Sequence, residues 1–110
     1  MEVLEAEVIA GEHRLDQTFE SCGASDLMSD VLALAQAGIL LLTGLATTQS
    51  VQTAEIIEAT AVVYVRGKIP DSQGIALAEQ VGLTLLTTRL PMYTACCLLC
   101  SHGISGVGTG

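Results

Sequence analysis

Basic residues are scarce in this sequence. The 110-residue chain holds 4 Lys and Arg against 12 Asp and Glu, a formal net charge of −8. Nucleic acids and anionic membrane surfaces are gripped through Lys and Arg, so this balance excludes both as expected partners. Charge of either sign is also low, at 15% of residues, while 50% are hydrophobic. A chain that apolar can bury enough surface to fold, which excludes general disorder. Its length implies a single domain. The apolar excess points to a sheet covered on both faces, or to an interface with another chain.

Other absences narrow the chemistry. Glu2, Glu5 and Glu7 stand where a secretion signal would carry basic residues, and no long apolar run follows them. A cytoplasmic protein is therefore expected. Residues 31–54 carry no charge, but Gln36, Gly38, Thr43 and Gly44 interrupt them and no basic residue flanks them. A helix, a turn near Ala37 and Gly38, and a buried strand fit this run better than a membrane span. The single Gly-Lys pair, Gly67-Lys68, has Val62 where a P-loop needs its first glycine, which excludes nucleotide hydrolysis through that motif. His13 and His102 are the two histidines, and neither neighbours a Gly-x-Ser-x-Gly elbow. His13 reads as a surface group and His102 as a helix C-terminal residue. Eight of the twelve acidic residues crowd into the first thirty positions, from Glu2 to Asp30, without the ligand spacing of a calcium loop. They read as a solvated face.

What is present is an alternation of helical and strand patterns. A short strand is expected at residues 7–10, stopped by Gly11, and a weaker one at 17–22. Ser25 or Asp26 can cap a helix carrying Leu27, Val31, Leu34 and Ala35, ended by Gly38. Residues 39–43 read as a strand buried on both faces. Thr47 or Thr48 can cap a second helix with Val51, Ala54 and Ile57 along one face. Residues 61–65 are the clearest strand, closed by Gly67. Pro70 and Asp71 open a third helix with Ile75, Ala78 and Val81 buried, ended by Gly82. Residues 83–87 form another strand, and Pro91 suits the first turn of a last helix. The Gly-rich tail, residues 105–110, is expected to be flexible, leaving a domain of residues 1–104. Strand-helix alternation implies right-handed crossovers and a mostly parallel sheet with helices on both faces, an α/β fold.

Ligands of such sheets sit beyond the carboxyl ends of the strands. Those ends carry Ser25 and Asp26, Thr43 and Gly44, Arg66 to Lys68, and Thr87 and Thr88. Arg66, Lys68 and Arg89 make this the one positively charged locality of an acidic chain. The candidate ligand-binding set is therefore Ser25, Asp26, Ser29, Thr43, Gly44, Arg66, Gly67 and Thr87, and the expected ligand is a small anion, phosphorylated or a nucleotide. The plainer role of the serines and threonines is helix capping and strand termination. A second reading rests on the cysteines. Of Cys22, Cys96, Cys97 and Cys100, three crowd together just before His102. Cys96, Cys97, Cys100 and His102 could serve a metal-binding or thiol-redox protein. Their place late in an apolar helical segment favours small buried hydrophobes instead.

The stretch Cys22-Gly23-Ala24-Ser25-Asp26-Leu27-Met28-Ser29-Asp30-Val31-Leu32 resembles the Gly-x-x-Ser-Asp-Leu-Leu-Ser-Asp-Val segment of stand-alone DRTGG domains. Val63-Tyr64-Val65-Arg66-Gly67-Lys68-Ile69-Pro70-Asp71 is similar to their Ile-Val-Arg-Gly-x-x-Pro-Asp segment. Gly82-Leu83-Thr84-Leu85-Leu86-Thr87-Thr88 is similar to their Gly-Ile-Pro-Leu-Leu-x-Thr strand. The resemblance runs from about Glu7 to Leu99, in the same order and spacing, without the name-giving Asp-Arg-Thr-Gly-Gly string. It implies an α/β domain like the N-terminal domain of HPr kinase/phosphorylase, which there precedes a P-loop domain that this chain lacks. DRTGG domains also accompany CBS domains and phosphotransacetylases as regulatory, assembly-forming modules. The resemblance transfers no catalytic residue and no cofactor. The expectation is a non-catalytic regulatory module that self-associates as a homodimer or larger homo-oligomer.

Overall fold

The computed structural model describes residues 4, 6–11, 21–33, 38–102 and 105–106. His13, residues 17–20 of the second expected strand, Leu34, Ala35 and Ala37, and residues 107–110 of the tail lie outside the described residues. The elements run β1 (Glu7–Ala10), β2 (Ser21–Ala24), α1 (Met28–Ala33), β3 (Leu40–Thr43), α2 (Thr48–Ile56), β4 (Ala61–Tyr64), α3 (Ser72–Val81), β5 (Thr84–Thr87), α4 (Met92–Ser101) and β6 (Ser105–Gly106). The strands form one sheet in the order β1-β5-β4-β3-β2-β6. β2, β3, β4 and β5 pair in parallel, β6 runs parallel to β2, and β1 is antiparallel to β5.

This order follows from the crossover rule. The steps from β2 to β3, β4 and β5 all go to the next neighbour on the same side. Crossovers of one hand then place α1, α2 and α3 on one face. The step from β5 back past β2 to β6 reverses direction, so the same hand sends α4 to the other face. The two packed cores bear this out. Met28, Val31, Val51, Ala54, Ile57 and Ala78 from α1, α2, the end of α2 and α3 bury against Leu41, Val62, Tyr64 and Leu85. Ala95 and Leu99 from α4 bury with Leu4 against Cys22, Leu40, Leu42, Val63 and Leu86. Alternate residues of each parallel strand feed opposite cores, which is why these strands read as unbroken apolar runs.

Local chemistry sets the helix starts. Thr47 caps α2 through its side chain, which accepts from the Ser50 amide at 3.3 Å. Asp71 caps α3, accepting from the Gly74 amide at 2.8 Å and from the Thr48 hydroxyl at 2.9 Å. These bonds hold the Asp71 carboxyl below its ordinary pKa. One carboxylate thus pins the starts of two helices together. A buried hydroxyl chain fixes α2 on β4: Ser50 Oγ donates to the Thr47 carbonyl at 2.6 Å, and the Tyr64 hydroxyl meets Ser50 Oγ at 2.7 Å.

Several expectations need correction. Leu27 is exposed and α1 buries Met28 in its place, beside the expected Val31, because α1 starts one residue after Leu27. Val81, the last residue of α3, is also exposed. Ser105–Gly106 of the expected tail adds an edge strand beside β2. Two residues pairing through backbone alone leave no side-chain pattern in a sequence. β1 joins antiparallel with a bulge: Val8 faces Leu86 and Ala10 faces Leu85, so Ile9 is the extra residue. The bulge lets Ile9 and Ala10 pack on the same core while Val8 packs on the other.

Candidate functional site

The parallel strands deliver their carboxyl ends to one rim of the sheet, and the expected site residues collect there in two places rather than one. The first lies over the ends of β2, β3 and β4. Asp26 Oδ1 accepts from the Gly44 amide at 2.6 Å and from the Thr43 hydroxyl at 3.3 Å. Thr43 Oγ1 also accepts from the Leu45 amide at 3.1 Å, so this buried hydroxyl is fully used inside the loop. A Cβ placed on Gly44 would lie 2.8 Å from Arg66 Nη2 and 3.3 Å from Asp26 Oδ1. The Arg66 guanidinium therefore lies across Gly44 toward Asp26. Ser25 Oγ accepts from the Leu27 amide at 3.1 Å, a turn just ahead of α1 rather than the expected cap on a helix amide. Ser29 is exposed in the first turn of α1.

The second place is a cleft of about 500 Å³ at the ends of β4 and β5. Leu4, Glu7, Gly67, Ile69, Thr87, Thr88, Arg89 and Leu90 line it. Gly67 and Thr87 of the candidate set belong here; Ser25, Asp26, Ser29, Thr43, Gly44 and Arg66 do not.

The turn between the two places is unusual. Lys68 N donates to the Val65 carbonyl at 3.2 Å, closing a four-residue turn around Arg66 and Gly67. Arg66 has φ +57° and Gly67 φ +70°. Two successive left-handed residues make a turn that favours Asn-Gly, so Gly67 is relaxed and Arg66 is not. The neighbours hold Arg66 there: its amide donates to the Leu90 carbonyl at 2.9 Å, and the Gly67 amide to the Thr88 carbonyl at 2.7 Å. Thr87 Oγ1 donates to the Lys68 carbonyl at 2.7 Å. Strained backbone of this kind clusters at functional positions.

Sequence reading reached Arg89 and Thr88 as strand-end residues but not Glu7, Leu4, Ile69 or Leu90. Glu7 enters the cleft because β1 pairs with β5 in a register that sets it opposite Thr87. No periodicity encodes that register.

The cysteine reading is corrected. Cys96 is half-buried and Cys97 and Cys100 are exposed on α4, so the burial expected of these three holds only in part, at Cys96; Cys22, on β2, is buried. Burial raises the thiol pKa of Cys22 and of Cys96. Raised thiols carry less of the thiolate that metal binding and exchange need. His102 caps α4 with Nδ1 2.9 Å from the Leu98 carbonyl. Among the described residues, no group of three or more His, Cys, Asp or Glu side chains is placed to share a metal ion. Nor is any described helix long and apolar enough to cross a membrane.

No family model matches the sequence, and no curated protein matches it. Among solved structures the chain is similar to the CBS and DRTGG domains of the regulatory region of Clostridium perfringens pyrophosphatase, crystallised with its activator diadenosine tetraphosphate. The TM-score is 0.68 at 17% identity, over 89% of this chain and 43% of that one. The DRTGG-like α/β fold implied by the sequence is the fold observed. This chain spans less than half the length of that regulatory region.

Proposed function

We propose that this protein is a cytoplasmic, non-catalytic regulatory module that binds a small anionic ligand, phosphorylated or a nucleotide, at the carboxyl ends of its parallel strands. The cleft flanked by Arg89 and by the strained Arg66–Gly67 turn carries this reading. Its volume falls within the usual range for small-molecule sites. The likeness to a regulatory region crystallised with a dinucleotide activator supports it. Within the proposed site, Gly67 and Thr87 shape the cleft wall and Arg89 supplies charge. Asp26, Thr43, Gly44 and Arg66 set the loops on its far side, with Ser25 and Ser29 at the edge of that group.

Calorimetric titration with triphosphate, ATP and diadenosine tetraphosphate tests this. Saturable binding is expected, weakened about tenfold or more by Arg89→Ala, since a charge-assisted contact is lost. ATP should be recovered unchanged. If none of the three compounds binds, the reading is wrong. If Arg66→Ala abolishes binding and Arg89→Ala leaves it intact, the anion belongs on the Asp26 side instead.

The reading includes self-association, as implied by the resemblance to DRTGG domains, which form assemblies beside CBS domains and phosphotransacetylases. Leu27 and Leu32 at α1 and Ile56 on α2 are large apolar side chains left in solvent, with Ile56 67% exposed. A two-fold contact would cover such a surface. Sedimentation equilibrium at low micromolar concentration is expected to show a dimer or larger species. Monomer mass across a broad concentration range would end this part of the proposal.

A further inference from the structure

We propose that the cleft beside Arg89 selects, among phosphorylated ligands, those that also carry a hydrogen-bond donor on an apolar or aromatic body, such as a 6-aminopurine nucleotide, and that Glu7 reads that donor. This rests on the anion-binding reading above and deepens it.

Thr88 Oγ1 donates to the Leu4 carbonyl at 2.6 Å, and Thr87 Oγ1 donates to the Lys68 carbonyl at 2.7 Å. The Gly67 amide donates to the Thr88 carbonyl, and the Leu90 amide to Thr88 Oγ1. The donors of these cleft residues are therefore already spent on the fold. The charged side chains left to a ligand are Arg89 and Glu7, both exposed. They have opposite chemistry: a guanidinium only donates and a carboxylate only accepts. Leu4, Ile69 and Leu90 supply apolar wall between them in the same cleft.

A bare phosphate would use Arg89 and be repelled by Glu7. An apolar amine would use Glu7 and leave Arg89 unmatched. A molecule with a phosphate, a flat body and an N–H donor satisfies all three kinds of lining at once. Glu7 is held where it can do this by the β1 register opposite Thr87. Its place in the cleft therefore does not depend on a mobile loop.

The test is calorimetry with ATP, purine riboside triphosphate and inorganic triphosphate on the wild-type chain and on Glu7→Ala. Purine riboside triphosphate keeps the ring and phosphates of ATP but has hydrogen in place of the 6-amino group, so its base carries no N–H donor. The wild-type chain is expected to prefer ATP about tenfold, the worth of one hydrogen bond to a charged group. Glu7→Ala should weaken ATP about tenfold, and should leave triphosphate unchanged or bind it a few-fold tighter, because a repelling carboxylate is gone. A loss confined to ATP cannot come from misfolding, which would weaken every ligand. Equal affinity for ATP and purine riboside triphosphate, or a parallel change of ATP and triphosphate in the variant, overturns the assignment of Glu7 and leaves anion binding standing. Absence of all binding, triphosphate included, removes the anion-binding reading itself.

Discussion

Replacing Gly11 by alanine is expected to destabilise the protein by about 3 kcal/mol, the sum of a left-handed backbone penalty and a steric one. Gly11 follows β1 with φ +71°. An added Cβ would lie 2.8 Å from Thr84 Cα and 2.9 Å from the Leu83 carbonyl oxygen. Both obstacles are backbone, in and just before β5, so no rotamer change relieves them. The Thr84 hydroxyl also donates to the Gly11 carbonyl at 3.2 Å, and any shift of residue 11 disturbs that buried bond. Gly67→Ala supplies the contrast. Gly67 has φ +70°, but a Cβ there meets nothing within 4 Å. It should cost only the left-handed penalty, about 1 kcal/mol. Urea melts of the two variants measure both numbers, and a loss at Gly11 no larger than at Gly67 would show that β1 can move away from β5. The consequence reaches the cleft, because Glu7 is placed there by the same strand pair. Gly11→Ala should therefore weaken nucleotide binding beyond its effect on the folded fraction.

The contrast between β1 and the parallel strands shows what a sequence of this kind makes legible. Residues 61–65 announce β4 because a strand buried on both faces must be apolar at every position. The start of α3 is legible at Pro70 and Asp71 because capping is local, within three residues of the donor it satisfies. The place of Thr43 and Thr87 at the sheet rim is legible, because strand ends follow from strand positions. Their hydroxyl partners were not legible, since Asp26 and Lys68 lie 17 and 19 residues away in sequence. Glu7 was the hardest case. Its role needs both an antiparallel register and a one-residue bulge, and neither leaves a mark in hydrophobic periodicity. The exposure of Cys97 and Cys100 was misjudged for a related reason. α4 is apolar around most of its circumference, so its composition does not say which side faces the sheet.

That ambiguity in α4 leads to the second large effect. Leu99→Ala is expected to cost about 3 kcal/mol, as for other fully buried leucines. Leu99 and Ala95 are the residues that α4 buries completely, and α4 is the one described helix on its face of the sheet. Three helices share the load on the opposite face, so losing one side chain there loosens less. The cleft Leu99 leaves behind weakens the whole attachment of α4. Cys22 reports this directly. It is buried on β2 in the same core as Ala95 and Leu99, with Cys96 packed beside it, and burial raises its thiol pKa. A thiol reagent reaches it only when α4 lifts. In the native protein Cys97 and Cys100 should label first, Cys96 more slowly and Cys22 last. If α4 opens as a local unit, the Cys22 labelling rate tracks the free energy of that opening. A 3 kcal/mol loss then accelerates Cys22 by about a hundredfold. Val51→Ala, on the other core, should destabilise the fold while leaving Cys22 labelling nearly unchanged. Mass spectrometry of pulse-labelled protein reads all four thiols at once. Equal acceleration of Cys22 by both variants would mean that α4 does not open alone, and that Cys22 is exposed only by global unfolding.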